Sequence, residues 1–160
     1  IAGTRLGPYE LTSRLGAGGM GEVYKAHDSR LNRTVAVKVL APGVATADRL
    51  RRFELEAQAA SALNHPNILT IYDVGREGDV VYLAMEWVQG KTLRELITGP
   101  PLATRRVVEV ARQVAEGLAK AHAANIVHRD IKPENVMVSD DGYCFEWWIV
   151  LCATTPFDSS

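Results

Sequence analysis

In the last third of the chain, the stretch Ile126 to Val138 (IVHRDIKPENVMV) holds three side chains whose types suit one chemistry. Asp130 is an acid, and Lys132 and Asn135 follow it closely. The acid can accept a hydroxyl proton, the lysine can neutralise phosphate charge, and the amide oxygen can bind Mg²⁺, which prefers oxygen ligands. Pro133 disfavours a helix at Lys132, so we expect a turn-rich loop to present these groups between two ordered elements.

A second candidate site is the glycine pattern GxGxxG, formed by Gly16, Gly18 and Gly21. The residues around it predict three strands, at Tyr9 to Leu15, Val23 to Ala26 and Thr34 to Leu40. The glycine loop, Gly16 to Gly21, joins the first two strands, and a polar turn, Asp28 to Arg33, joins the last two. A dinucleotide-binding fold places a helix after these glycines, and a Walker A loop ends in Gly-Lys-Ser/Thr, so the pattern disfavours both. A glycine hairpin can lay backbone N–H groups over a triphosphate, whereas an ordinary glycine-rich turn is the alternative.

The third candidate is Lys38, which lies inside the last of these strands with apolar neighbours on both sides. A lysine in such a strand needs a partner or a route to water; a lysine on a solvated face is the alternative. From about Asp48 to Leu63, apolar residues recur at three- and four-residue spacing, which predicts an amphipathic helix. Glu54 and Glu56 are the two candidate partners on this helix.

Further elements must position these residues. Two more strands are predicted at Ile68 to Val74 and Val80 to Trp87, then a short helix at Leu93 to Thr98 and a long helix from Thr104 to about Asn125. The long helix carries an apolar stripe that we expect to be core: Val107, Val108, Ala111, Val114, Ala115, Leu118 and Ala119.

Composition narrows the possible functions. The chain has 160 residues, of which 47% are hydrophobic, and 18 basic residues balance 19 acidic ones. This balance gives no reason to expect a nucleic acid or an anionic membrane as partner. We also expect no membrane segment, because the longest apolar run, Trp147 to Ala153, is far shorter than the roughly 20 residues that a span requires. Cys144 and Cys152 are the only cysteines, which is typical of a reducing compartment.

Taken together, these motifs resemble the protein kinase family, serine/threonine type, in the style of its bacterial members. His128, Arg129, Asp130 and Asn135 match the catalytic loop HRDxxxxN, and VAVK at Lys38 matches the strand lysine that contacts the α- and β-phosphates. The resemblance implies an α+β fold with a five-stranded antiparallel amino lobe, one helix packed on it, and the first part of a helical carboxyl lobe. It implies ATP and Mg²⁺ as cofactors and a protein with a Ser or Thr acceptor as substrate.

The resemblance also implies a role for each matched residue. Asp130 would orient the substrate hydroxyl, Lys132 would balance γ-phosphate charge, Asn135 would bind magnesium, and Glu56 rather than Glu54 would pair with Lys38. Met85 would control access to the back of the pocket, and the hinge, Glu86 to Val88, would bond the adenine edge through the backbone of Glu86 and Val88. The full set of expected nucleotide contacts is Leu15, Gly16, Gly18, Gly21, Val23, Ala36, Lys38, Glu56, Met85, Glu86, Val88 and Met137.

The resemblance stops at Gly142. The family pattern continues with Asp-Phe-Gly, whose aspartate chelates magnesium, and that motif should fall near Trp148, where this sequence has none. We therefore expect an amino-terminal extension (1–8), an amino lobe (9–89), a partial carboxyl lobe (90–142) and a non-matching tail (143–160). The fragment is expected to be inactive alone, because Asn135 is the only recognisable metal ligand.

Three readings of the function stay open. The first is a cytoplasmic kinase domain, which could be the cytoplasmic part of a larger membrane-anchored protein. The second is a non-catalytic nucleotide-binding module, favoured by the missing metal aspartate. The third, a nicotinamide-dependent oxidoreductase, rests on the glycine triplet alone. A transition-metal centre at His122, His128 and Asp130 is disfavoured because no ligand cluster completes it.

Overall fold

The computed structural model describes residues 3–18, 21–41, 47–128 and 131–146. The chain divides into two units. Of the described residues, the first unit contains those up to Ala57 together with Thr70–Trp87, and the second contains Gln58–Leu69 and those from Val88 to Glu146. Across the described ranges, no helix is both long and apolar enough to span a bilayer.

The first unit is built on one antiparallel sheet with the strand order β1-β2-β3-β4-β6-β5. The strands are β1 (Arg5–Leu6), β2 (Tyr9–Gly18), β3 (Gly21–Asp28), β4 (Arg33–Leu40), β5 (Ile71–Glu77) and β6 (Val80–Glu86). The predicted fold class is confirmed, but the sheet has six strands rather than five. The additional strand, β1, has only two residues and pairs with β2 at the sheet edge, so it is too short to give a period-2 pattern.

The side chains of β4 alternate between the two faces of the sheet and are buried on both. Val35 and Val37 join a buried cluster on one face, together with Leu6, Tyr9, Leu11, Tyr24, Ala26, Tyr82 and Ala84. Ala36 and Lys38 point to the opposite face, because successive residues of a strand alternate, and they are also buried. Helix α1 (Ala47–Ser61) begins and ends close to the predicted bounds, and its residues Phe53 and Ala57 are buried.

The turn between β3 and β4 is fixed by the fully buried carboxylate of Asp28. It accepts hydrogen bonds from the backbone N–H of Arg30 at 3.0 Å and from Nε of Arg33 at 3.4 Å. Burial alone would raise the pKa of Asp28, but hydrogen bonds from the backbone of Arg30 and Leu31 and from Arg33 outweigh it and lower the pKa. The charged form of Asp28 is therefore the one that holds this turn.

The second unit combines helices with a small antiparallel sheet of order β7-β8-β9. Its elements are β7 (Gly90–Thr92), α2 (Leu93–Ile97), α3 (Thr104–Ala123), a 3₁₀ turn (Pro133–Asn135), β8 (Val136–Ser139) and β9 (Cys144–Glu146). Its core contains Val110, Val136, Val138 and Cys144, with Leu93, Leu96 and Val114 packed against them. At its amino end, α2 is closed by a capping box in which Thr92 and Glu95 satisfy each other's backbone N–H.

The buried face of α3 is not the predicted one. Val107 and Val108 are 49% and 62% exposed, and most of the predicted stripe is exposed with them. The residues that are buried are Val110, Gln113, Gly117 and Ala121. Apolar periodicity failed here because two members of the true buried face are a glutamine and a glycine, which do not score as apolar.

The predicted boundary at Gly142 falls inside a β-hairpin. Strand β9 pairs with β8 through Val138 and Cys144, and the thiol of Cys144 is buried in the core of the second unit. Burial raises the pKa of this thiol, so it behaves as a small apolar side chain. Residues 143–146, assigned above to the tail, therefore contribute to the fold.

Candidate active site

The glycine hairpin is formed by β2 and β3, which pair Gly18 with Gly21 and Gly16 with Val23. Gly21 has a φ of +134°, and a Cβ built on it would overlap the carbonyl oxygen of Val39. The fold itself therefore requires glycine at position 21. At Gly16, by contrast, an added Cβ would meet nothing within 4 Å, so packing inside the protein does not require a glycine there.

Strand register places Lys38 beside this hairpin. Val23 pairs with Lys38, so Gly16, Val23 and Lys38 form one row across three neighbouring strands. Cross-strand partners share a face of the sheet, so the three positions lie side by side. Lys38 is only 6% exposed. Leu15, which precedes the first glycine, is half exposed.

Glu56 lies on α1 in the same unit as Lys38. It is half-buried, and one of its carboxylate oxygens is buried, whereas Glu54 is exposed, as expected for a solvated helix charge. The pairing of Glu56 with Lys38 stays a prediction.

A second row across the sheet joins Lys25, Ala36 and Met85. Ala36 and Met85 are buried, 3% and 2% exposed. Because they are cross-strand partners, Met85, the residue expected to control access to the back of the pocket, lies directly beside Ala36, another predicted nucleotide contact. At the end of β6, the N–H of Glu86 donates to the carbonyl of Thr70 at 2.9 Å. The carbonyl of Glu86 is therefore the group that this residue can offer to an adenine edge. Val88 belongs to the second unit and is half-buried.

In the second unit, Lys132 is exposed and extended, and Asn135 ends the 3₁₀ turn. The N–H of Asn135 donates to the carbonyl of Lys132 at 2.9 Å, which closes the turn. Nε of Arg94, on α2, donates to the carboxylate of Glu134 at 2.8 Å, and this hydrogen bond is the main cause of the lowered pKa of Glu134. The turn that carries the predicted metal ligand is thus tied to a helix.

Met137 follows on β8, where it is half-buried opposite Thr92 and Phe145. Arg129, Asp130 and residue 148 lie outside the described residues, so the predictions for them stay predictions. His128 is buried, whereas His122 is exposed. Among the residues that the structure describes, no group of three or more His, Cys, Asp or Glu side chains could hold a metal ion.

Sequence reasoning missed a buried polar network in the second unit. Asn67 Nδ2 donates to Gln113 Oε1 at 2.8 Å and to the carbonyl of Cys144 at 3.0 Å. The N–H of Cys144 donates back to Gln113 Oε1 at 2.8 Å, and Gln113 Nε2 donates to Glu109 at 2.9 Å and to the carbonyl of Gly142 at 3.2 Å. The network links the loop after α1, helix α3 and strand β9. A glutamine at helical spacing from Val110 and Gly117 was the available signal.

Comparison with known proteins agrees with this architecture. The family model described as "Protein kinase domain" matches residues 9–151. The serine/threonine-protein kinase PrkC of Bacillus subtilis is 44% identical over 145 residues, which is 89% of this chain and 22% of the relative. The probable serine/threonine-protein kinase SCO3848 of Streptomyces coelicolor is 47% identical over 142 residues, which is 85% of this chain and 21% of the relative.

A solved structure gives the same result. The crystal structure of the Mycobacterium tuberculosis PknI kinase domain superposes with a TM-score of 0.82 at 29% identity, covering 93% of this chain and 61% of that one. The chain thus spans about a fifth of the length of the curated relatives it matches and about three fifths of the solved domain. The family match covers most of the chain, and the fold and the named relatives agree with it, so the chain belongs to the protein kinase domain family, among its bacterial serine/threonine members.

Proposed function

We propose that this chain carries the ATP-binding strands and the catalytic loop of a kinase that transfers phosphate from ATP to Ser or Thr hydroxyls of a protein. The observation that carries the proposal is the row Gly16, Val23 and Lys38 across the first sheet. The ammonium of Lys38 is buried, and Gly16 has no side chain and has open space where a Cβ would lie. Such a site is suited to an anionic ligand, because the ligand can approach the backbone and pair with the buried charge. Lys38 would grip the α- and β-phosphates, and Glu56 would orient Lys38.

The other expected contacts serve the adenosine part of ATP. Ala36 and Met85 form an apolar surface suited to a base, and the carbonyl of Glu86 supplies a hydrogen-bond acceptor at the end of β6. Val23, on the same face, would pack against the sugar or base.

In the matched catalytic loop, Asp130 would accept the proton of the incoming hydroxyl, Lys132 would balance γ-phosphate charge, and Asn135 would bind Mg²⁺. An amide oxygen at the end of a hydrogen-bonded turn is a suitable magnesium ligand. Mg²⁺, when bound, would neutralise charge on the transferring phosphate. Because the sequence has no Asp-Phe-Gly near residue 148, this donor set is incomplete, and we expect the 160-residue chain alone to transfer phosphate poorly or not at all.

The whole protein would act in the cytoplasm on a protein substrate. A non-catalytic nucleotide-binding module is the second candidate function, and the missing metal aspartate favours it.

Two measurements test the proposal, on this chain and on a chimaera in which the segment after residue 146 is replaced by the corresponding part of the PrkC kinase. ATP should raise the melting temperature of both chains, and the chimaera should transfer radiolabelled phosphate to a generic protein substrate. Asp130→Asn should abolish transfer without changing the ATP-induced stabilisation, whereas Asp140→Asn, at an exposed turn position, should leave both unchanged. Stabilisation without transfer in the chimaera would favour the binding module instead. Absence of both responses would refute nucleotide binding altogether.

A further inference from the structure

The ammonium of Lys25 lies over the ring of Trp87, 4.1 Å from the ring centroid. Lys25 stands in the middle of β3, and Trp87 is the residue directly after the end of β6. Both side chains are half-buried and both belong to the first unit. A lysine this close to an indole face makes a favourable cation–π contact, and tryptophan is the aromatic residue that gives the strongest one.

This contact lies on the face of the sheet that carries the proposed nucleotide contacts. Lys25 pairs with Ala36, and Ala36 pairs with Met85, so the three side chains share one face. Tyr24 and Ala26, the neighbours of Lys25 in β3, belong to the core cluster on the opposite face. Sequence reasoning gave Lys25 no role, and no residue of the proposed mechanism needs it.

Trp87 immediately follows Glu86, the last residue of β6 and the last one paired with β4. The N–H of Glu86 is already bound to Thr70, so the direction of its carbonyl depends on the path of the chain into Trp87. A side-chain contact that fixes Trp87 on β3 therefore fixes the peptide group that offers this carbonyl.

We propose that Lys25 is a positioning residue whose ammonium, stacked on Trp87, holds the carbonyl of Glu86 in the direction that selects adenine over guanine. This inference rests on the proposed function. The carbonyl accepts a hydrogen bond from the amino group at position 6 of adenine, whereas guanine presents an oxygen there, which a carbonyl repels. Loosening Trp87 should therefore reduce the preference for adenine more than it reduces the attraction for phosphate.

The test measures dissociation constants for ATP, GTP and adenosine on the 160-residue chain, for the unmodified protein, Lys25→Met, Trp87→Leu and the double variant. Each single substitution should lower the ATP-to-GTP affinity ratio by roughly two- to five-fold, as expected for losing one cation–π contact, and the double variant should lose no more than either single one. Lys25→Arg keeps a cation that stacks on indole and should restore the ratio. Lys120→Met, which removes an exposed lysine of the second unit, is the charge-matched control and should change nothing.

Three results would overturn the inference. Additive losses in the double variant would mean that the two residues act separately. A loss by Lys25→Met for ATP but not for adenosine would mean that the ammonium acts on phosphate. An unchanged ATP-to-GTP affinity ratio in variants that keep their melting temperature would mean that the contact is purely structural. If Trp87→Leu does not fold, Trp87→Phe together with the two Lys25 variants gives the same comparison. If the unmodified chain binds neither ATP nor adenosine, the proposed function itself fails, which distinguishes that outcome from the other three.

Discussion

Replacing Gln113 with leucine should cost the second unit a large part of its stability. The two side chains have similar volume, so the change creates almost no cavity, but it removes every hydrogen bond made by a side chain that is only 6% exposed. The N–H of Cys144 and one hydrogen of the Asn67 amide lose their shared acceptor, Gln113 Oε1. The carbonyl of Gly142 loses a donor at the same time.

Each buried polar group that is left unsatisfied costs about 1–3 kcal/mol, and Asn67 keeps its second bond, to the carbonyl of Cys144. We therefore expect Gln113→Leu to lower the free energy of unfolding by about 2–4 kcal/mol, against a typical total of about 5–15 kcal/mol. For a chain of this length, that loss corresponds to a melting temperature about 5–15 °C lower.

Urea denaturation followed by circular dichroism measures this loss. Gln58→Leu, the same substitution at an exposed position of α1, should stay within about 0.5 kcal/mol of the unmodified chain. Adding Asn67→Leu to Gln113→Leu should cost much less than Asn67→Leu alone, because both residues belong to one network. A Gln113→Leu variant as stable as the Gln58→Leu variant would refute the reasoning from buried hydrogen bonds.

Two further predictions concern the first unit. Gly21→Ala should cost at least about 2 kcal/mol in urea unfolding, because its φ is positive and a Cβ would overlap Val39, whereas Gly16→Ala should stay within about 0.5 kcal/mol; equal effects would contradict the assignment. Burial, and then the charge of Asp73, raise the pKa of Tyr9 to about 12. The protonated hydroxyl of Tyr9 contributes fully to the free energy of unfolding below the ordinary tyrosine pKa, about 10, and this contribution is lost as pH rises towards 12. Tyr9→Phe should therefore flatten the decline in unfolding free energy measured between these two pH values. Parallel declines in the variant and the unmodified chain would show that Tyr9 does not cause the decline.

The sheet of the first unit was predictable because its strands are long and their turns have clear sequence signals. Dense Val residues mark β4, and the glycine pattern and the turn from Asp28 mark the ends of β3. Strand β5 begins at Ile71 rather than Ile68, since the N–H of Ile68 donates to the carbonyl of His65 in a turn that local propensity did not reveal. The strands could therefore be assigned from the sequence, and β2 and β6 begin at the predicted Tyr9 and Val80, whereas the first residue of β5 could not be predicted.

What the sequence could not reveal depends on contacts between distant residues. The buried face of α3 is decided by Asn67, which approaches Gly117 so closely that a Cβ there would lie 3.1 Å from the Asn67 carbonyl oxygen. Strand β9 is described over three residues, which is too short a stretch for a sequence pattern, and it is defined by its pairing with β8. Lys25 and Trp87 are 62 positions apart in the chain (87 − 25), so no pattern of local spacing could have predicted their contact.

In the proposed function, the first unit binds ATP through the buried ammonium of Lys38. The most direct test compares the dissociation constants of Lys38→Met for ATP and for adenosine, with Lys91→Met, at an exposed lysine, as the control. A charge-assisted bond to phosphate is worth about 1.5–3 kcal/mol, so Lys38→Met should raise the dissociation constant for ATP by roughly ten-fold or more. The dissociation constant for adenosine should stay within about two-fold of that of the unmodified chain. If Lys38→Met bound ATP as tightly as the Lys91→Met control, Lys38 would not be a phosphate ligand and the proposed nucleotide site would be wrong.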